Sequence, residues 1–261
     1  MGKIVFFDID GTLWDEENKI PESTKVAIQK LRANGHKAII CSGRARGNIR
    51  NLALLEMGFD GIIAACGNHV ELDGEIIYEK IIPPAMVKKI IEVCKEHRMP
   101  IVMEGPSKHW LDGEGFEEDP YVDFLMEELE DDAIILDGYT EEIHVNKFSA
   151  LIHPHTNITA IQEALQEDFD FLFHTGAVLE CVPAGTSKAT GIKWLCSYLD
   201  IAKDDMYAIG DSVNDLDMLR YVDHSICMGN GTAPAKEAAE YITRDIHEDG
   251  IYHALEHYGL I

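Results

Sequence analysis

Apolar residues fall in two textures along the chain. Ile4-Val5-Phe6-Phe7, the stretch from Lys37 to Cys41, and the stretch from Gly61 to Ala65 are short unbroken apolar runs. Their length suits strands covered on both faces. Between them, residues 22–34 and 46–57 read as helices that Gly35 and Gly58 stop. A β-α-β-α-β order predicts a parallel sheet with right-handed crossovers. The same texture returns after residue 184. Ile192, Leu195, Cys196 and Leu199 recur three and four apart, which predicts a helix over 188–199. Strands over 206–209 and 225–228, a short helix near 214–220 and a last helix over 249–258 follow.

The middle of the chain differs. Pro83-Pro84 and Pro183-Ala184-Gly185 bracket it, and both are chain breakers. Within lie an amphipathic helix over 85–97, a strand at 101–103, an acidic helical stretch, an apolar segment over 143–152, a helix over 156–166, and strands near 169–174 and 178–182. We therefore expect an α/β fold: a Rossmann-like core from residues 1–83 and 184–261, with an α+β domain inserted over 84–183. A segment of that length sustains its own core. The breakers at both junctions suit a hinge or a plain exposed linker.

Composition narrows the function. The chain has 261 residues, 46% of them hydrophobic, and 22 Lys and Arg against 47 Asp and Glu give a net charge of −25. Such a surface repels phosphate backbones, so a nucleic-acid partner is not expected, whereas a small anion needs only local positive charge. No apolar run approaches the roughly 18 residues of a transmembrane helix. Asp8 follows the first apolar run too soon for a signal peptide. The six cysteines form no C-x-x-C pair and read as reduced thiols of a cytoplasmic protein. Neither a membrane nor an obligate protein partner is indicated.

Four polar clusters each follow a predicted strand, and in an open parallel sheet the carboxyl ends of the strands share one crevice. Asp8-Ile9-Asp10-Gly11-Thr12 places two carboxylates after a buried run, which is costly without a cation or proton to offset them. Gly11 allows a tight turn whose amides can approach an anion. By itself this is also an Asp-rich capping turn. Ser42-Gly43-Arg44 offers a hydroxyl, a flexible amide and a guanidinium to a phosphate, or simply a helix N-cap. Lys188 opens a helix, against its dipole preference, and makes an anion site there, unless it is an ordinary solvated lysine. Gly210-Asp211-Ser212-Val213-Asn214-Asp215 supplies hard oxygen ligands on a glycine turn, or an Asx-turn.

The ordered series DxDGT, S-G-R, K and GDxxND resembles the haloacid dehalogenase superfamily of phosphatases. The place and α+β character of the insertion resemble its Cof-type branch, as do Gly229-Asn230-Gly231 and Asp249-Gly250-Ile251, and this implies that residues 84–183 form a cap that selects substrate. The resemblance implies that Asp8 is the nucleophile forming an aspartyl-phosphate and that Asp10 is the general acid/base. It implies a Mg²⁺ ion held by Asp8, the Asp10 carbonyl and Asp211. Ser42, Lys188 and Asn214 would bind phosphate, and Asp215 would support the metal's water shell. The substrate would be a small phosphorylated metabolite, such as a sugar phosphate or a phosphorylated cofactor. A phosphotransferase or phosphomutase on the same residues, or a non-catalytic phosphometabolite sensor, are the alternatives. Two departures from the branch are Cys66-Gly67-Asn68 after the third strand and Ala189 after the lysine. Lys147 and His109-Trp110 are further candidates for substrate contact, although a solvated lysine and a packed tryptophan are their default readings. His253 and His257 stand at zinc-binding spacing without the rest of a zinc motif.

Overall fold

The computed structural model describes residues 2–112, 120–174 and 177–261. In chain order the first elements are β1 (Ile4–Phe7), α1 (Glu22–Ala33), β2 (Lys37–Cys41), α2 (Leu52–Leu55), β3 (Gly61–Ala64), β4 (His69–Leu72) and β5 (Glu75–Glu79). Next come α3 (Pro84–Glu96), β6 (Ile101–Glu104), β7 (His109–Asp112), α4 (Pro120–Leu129), β8 (Ala133–Leu136), β9 (Lys147–Leu151), α5 (Ile158–Leu165), β10 (Phe169–Phe173) and β11 (Val178–Pro183). The chain ends with α6 (Lys188–Leu199), β12 (Met206–Gly210), α7 (Leu216–Tyr221), β13 (His224–Cys227), α8 (Ala233–Ala238), β14 (Tyr241–Ile242) and α9 (Gly250–His257). Part of the acidic stretch expected to be helical, residues 113–119, lies outside the described residues.

Two compact units result. The first comprises Met1–Gly43, Arg50–Tyr78 and Ser187–Ile261, and the second Arg44–Ile49 and Glu79–Thr186. The first holds an eight-stranded sheet of order β14-β13-β12-β1-β2-β3-β4-β5. All four residues of β1 are wholly buried, as its unbroken apolar run requires. β1 pairs in parallel with β12 on one side and β2 on the other, with Phe7 opposite both Ile209 and Ile40. The chain winds outward from β1 to β3, then returns to wind the other way from β12 to β14. The carboxyl end of β1 is thus a topological switch point, where such sheets open a crevice.

The expected parallel sheet runs from β14 to β3, and one edge adds antiparallel pairing that the sequence did not indicate. β3 and β4 pair antiparallel. After β3 the backbone takes the left-handed conformation at Ala65 (φ 50°), Cys66 (51°) and Gly67 (88°), which reverses the chain. Two of these residues carry a Cβ, for which that region is uncommon, so no turn signal marked the place. The expected helix over 46–57 is corrected. A 3₁₀ turn at Arg46–Asn48 ends in non-helical backbone at Ile49. A new helix starts where the Asn51 side chain accepts the Leu54 N–H at 3.1 Å.

The second unit is built on a six-stranded sheet of order β10-β11-β9-β6-β7-β8, antiparallel except for β7 and β8. Alternation in β9 divides its faces. Phe148 and Ala150 join the core formed with Val87 and Ile90 of α3 and Ile161 and Leu165 of α5. Leu151 lies with Val102, Leu111 and Leu125 on the opposite core, and Lys147 shares that side by alternation.

Candidate active site

The switch point gathers the ends of β1, β2 and β12. Asp8 directly follows β1, and its N–H donates to the Ile209 carbonyl at 3.0 Å. Its side chain is 2% exposed. Lys188, the first residue of α6, is equally buried, and its Nζ donates to Asp8 Oδ1 and Asp215 Oδ1, both at 2.6 Å. The lysine is therefore a bridge between carboxylates rather than a solvated side chain. Ser187 places it: its hydroxyl accepts the Thr190 N–H and its own N–H donates to Thr190 Oγ1, a reciprocal cap that fixes where the helix begins.

Asp215 is wholly buried, and its Oδ2 accepts the main-chain N–H groups of Asp211 and Ser212 at 2.9 and 3.0 Å. This closes the turn after β12 and presents Asp211. A Cβ on Gly210 would lie 2.6 Å from Asp215 Cγ, so glycine there is required by close approach. Gly11 combines φ +78° with a would-be Cβ 2.5 Å from Asp211 Oδ2, so both its conformation and its neighbour demand glycine. Thr12, fully buried, donates its hydroxyl to Asp211 Oδ1 at 3.3 Å.

One ligand atom each from Asp8, Asp211 and Asp215 lie within 4.8 Å of one another. Asp8 Oδ2 is buried and has no hydrogen-bond partner. A buried carboxylate oxygen without a donor is costly, and a set of carboxylate oxygens matches a hard divalent cation. The residues fit a metal of that class. Asp215 contributes the third of these atoms, and both of its oxygens are already hydrogen-bonded, Oδ1 to Lys188 and Oδ2 to the Asp211 and Ser212 N–H groups.

The electrostatics have the same source. Burial and the neighbouring Asp215 push the Asp8 carboxyl well above the ordinary range, against the pull of Lys188. Burial, then Asp215, raises Asp211 to about 7. Burial opposes the charge on Lys188, but Asp215 and Asp8 outweigh it and raise its pKa well above the usual value. Negative charge is thus in excess around one ammonium. Cys41, at the end of β2, is buried, and that burial pushes its thiol well above the ordinary range.

The remaining candidates spread outward. Ser42 is buried at the end of β2, its N–H donating to the Ile63 carbonyl. Gly43 ends the first segment of the first unit, and Arg44 begins the segment that groups with the second. Asn214 is exposed and accepts from the Ser212 hydroxyl at 2.6 Å. Asp10 is exposed beside an open cleft of ≈ 930 Å³, which is also lined by Gly11, Asp211, Ser212 and Asn230. Two residues to which the sequence reading gave no role at the site hold this loop. Trp14 donates its indole N–H to Asp10, and Asn230 donates to the Gly11 carbonyl at 2.8 Å. Asn230 was visible as part of a Gly-Asn-Gly turn, whereas Trp14 looked like one more apolar residue.

The second unit holds a separate polar cluster. Lys147 is 5% exposed and pairs with Glu180, with Glu104 3.6 Å away, which overturns its default reading as solvated. Burial would raise the Glu180 carboxyl, but Lys147 and His174 together lower it to about 2. On α9, His257 stacks on Tyr241 and His253 lies 3.7 Å from Glu256. Among the described residues no histidine belongs to a metal-holding group. No helix among them is long and apolar enough to cross a membrane.

The chain is similar over 99% of its length to the protein named "Putative phosphatase YkrA" of Bacillus subtilis (strain 168), at 32% identity and 98% coverage of that protein. It is 25% identical over 274 residues to the 5-amino-6-(5-phospho-D-ribitylamino)uracil phosphatase YitU of the same organism, covering 98% of this chain and 97% of that one. Among solved structures, the HAD subclass IIB sugar phosphatase BT4131 superposes with a TM-score of 0.81 at 28% identity, covering 99% of this chain and 100% of that one. The model of the haloacid dehalogenase-like hydrolases matches residues 5–255. With the ordered carboxylates and lysine at the switch point, that match over nearly the whole length means that the chain belongs to the haloacid dehalogenase-like hydrolases.

Proposed function

We propose that the protein is a Mg²⁺-dependent phosphomonoesterase that works through an aspartyl-phosphate on Asp8. The observation that carries this reading is Asp8 itself. Oδ1 is held by Lys188 at 2.6 Å, while the buried Oδ2 has no hydrogen-bond partner and is available to attack. In the first step Asp8 Oδ2 bonds to phosphorus, the ester P–O bond breaks, and Asp10 gives its proton to the departing oxygen. In the second, water attacks the phosphorus of the acyl phosphate and gives a proton to Asp10. The Asp8–phosphorus bond breaks, and inorganic phosphate leaves. Lys188 offsets the negative charge gathered between Asp8 and the phosphoryl oxygens. Asp8, Asp211 and the Asp10 main-chain carbonyl would hold Mg²⁺, which when bound supplies the remaining neutralisation. Ser42 is assigned to the phosphate, with Gly43, Arg44, Gly11 and Asn214 as supporting groups.

The substrate class is a small phosphorylated metabolite, a sugar phosphate or a phosphorylated cofactor. The sugar phosphatase and the ribitylaminouracil phosphatase named above support it. We assign selection among such substrates to the inserted 84–183 segment, and we place the protein in the cytoplasm. The test is release of inorganic phosphate from a panel of phosphorylated metabolites with Mg²⁺ present. Stoichiometric phosphate with the free alcohol supports the reading. Phosphoryl transfer to a second sugar without free phosphate makes the protein a transferase, and no turnover on any ester, including p-nitrophenyl phosphate, refutes it.

A further inference from the structure

Trp14 is 3% exposed, and its indole Nε1–H donates to Asp10 Oδ1 at 2.9 Å. A buried indole N–H needs an acceptor, and a main-chain carbonyl would serve. Here the acceptor is instead the carboxyl of an exposed residue. Three main-chain bonds fix the backbone that carries the ring. The Trp14 carbonyl accepts the Gly11 N–H at 3.0 Å, and the N–H groups of Leu13 and Trp14 donate to the Ile9 carbonyl at 2.9 and 3.2 Å. The donor is therefore built into the same closed turn that carries Asp8 and Asp10. Thr12 of that turn reaches Asp211, and Asn230 holds its Gly11 carbonyl, so the turn is braced on the β12 side as well.

We infer that Trp14 is a positioning residue for the proton transfers of Asp10. The inference rests on the acid/base role proposed for Asp10 above. An N–H donor at Oδ1 makes that oxygen the carbonyl-type oxygen of the protonated acid and leaves the transferable proton on Oδ2. Oδ2–H then gives its proton to the ester oxygen as the P–O bond breaks, and the resulting carboxylate takes a proton from the water that attacks phospho-Asp8. The indole stays bonded to Oδ1 through both steps, so the carboxyl need not be reoriented between them.

Two variants separate this role from packing. Trp14→Phe keeps an aromatic ring but removes the donor. Replacing Trp14 by β-(3-benzothienyl)alanine keeps the bicyclic outline and puts sulfur where the N–H was. The readout is kcat/KM on two esters, since it reports the steps up to P–O cleavage. Glycerol phosphate has a leaving group that needs the proton, and p-nitrophenyl phosphate has one that does not. We expect both variants to lose about tenfold or more on glycerol phosphate and to stay within about threefold of the parent on p-nitrophenyl phosphate. Asp10→Asn should show the same dependence more steeply. An equal loss on both esters, or no loss on either, in the benzothienyl variant overturns the inference while leaving Asp10 as the acid. An Asp10→Asn enzyme without leaving-group dependence overturns the acid assignment itself, and the inference with it.

Discussion

Lys188 in the first unit and Lys147 in the second are both buried between two carboxylates, yet their surroundings respond in opposite ways. Around Lys188 the carboxyl of Asp8 is pushed up, and that of Asp211 rises to about 7. Around Lys147 the carboxyl of Glu180 falls to about 2. The difference is a matter of counting charge. Lys188 faces Asp8 and Asp215 directly, with Asp211 and Asp10 close enough to act on Asp8. Lys147 faces Glu180 and Glu104, and His174 bonds Glu180 from the other side at 3.1 Å. Around Asp8 further carboxylates add to the effect of burial, whereas on Glu180 Lys147 and the His174 hydrogen bond act against it. A shortage of positive charge at a switch-point crevice invites a cation and an electrophile. Around Glu180 the lysine and the histidine hydrogen bond favour the charged carboxylate instead.

Removing the nucleophile gives the largest expected effect. Asp8→Asn should lower kcat on p-nitrophenyl phosphate by at least about 10⁴-fold, with an unchanged circular dichroism spectrum. Substantial residual turnover would place the chemistry elsewhere. Stripping divalent cations comes next. Exhaustive EDTA dialysis should abolish turnover and added Mg²⁺ should restore it, because the carboxylates around Asp8 repel without a cation.

These charge counts also explain what the sequence made legible. Asp8, Lys188, Asp211 and Asp215 could be placed together because each follows an unbroken apolar strand or opens a periodic helix, and the parallel sheet brings those ends to one edge. The role of Lys147 could not be read. Its neutralising acids lie on β6 and β11, and only strand register brings them alongside: Glu104 is opposite Lys147, and Glu180 is opposite Ser149. β4 escaped notice because the turn before it is built from Ala65 and Cys66, residues that carry no turn signal. β8 was missed because a single edge pairing holds it and its residues are partly buried or exposed. Trp14 was passed over because an apolar residue beside a motif reads as core, and its hydrogen bond is invisible in one dimension.

Stability should follow the same division. Lys147→Met leaves Glu180 and Glu104 buried without their ammonium, a change that costs about 3–5 kcal/mol. Urea denaturation of the second unit should show it. Glu180 supplies a pH test of the same cluster. Its carboxyl is lower in the folded protein than its ordinary value of 4.5, so its contribution is complete above that value and is lost as pH falls toward 2. The gap in unfolding free energy between the parent and Glu180→Gln, about 3 kcal/mol at neutral pH, should therefore close below pH 4.5. In the crowded cluster the sign reverses. With divalent ions chelated, Asp8→Asn removes one of several repelling charges and should raise the melting temperature by roughly 2–4 °C. A fall would mean that Lys188 already balances the site.

The claim that Asp8 carries the phosphoryl group can be met directly. Acid quenching of Asp10→Asn mixed with p-nitrophenyl phosphate and Mg²⁺, followed by digestion and mass spectrometry, should find one phosphoryl group on the peptide containing Asp8. The label should vanish in the Asp8→Asn variant and in hydroxylamine, which cleaves acyl phosphates. A burst of p-nitrophenol with no phosphorylated peptide, or with the phosphoryl group on a residue other than Asp8, would contradict the account.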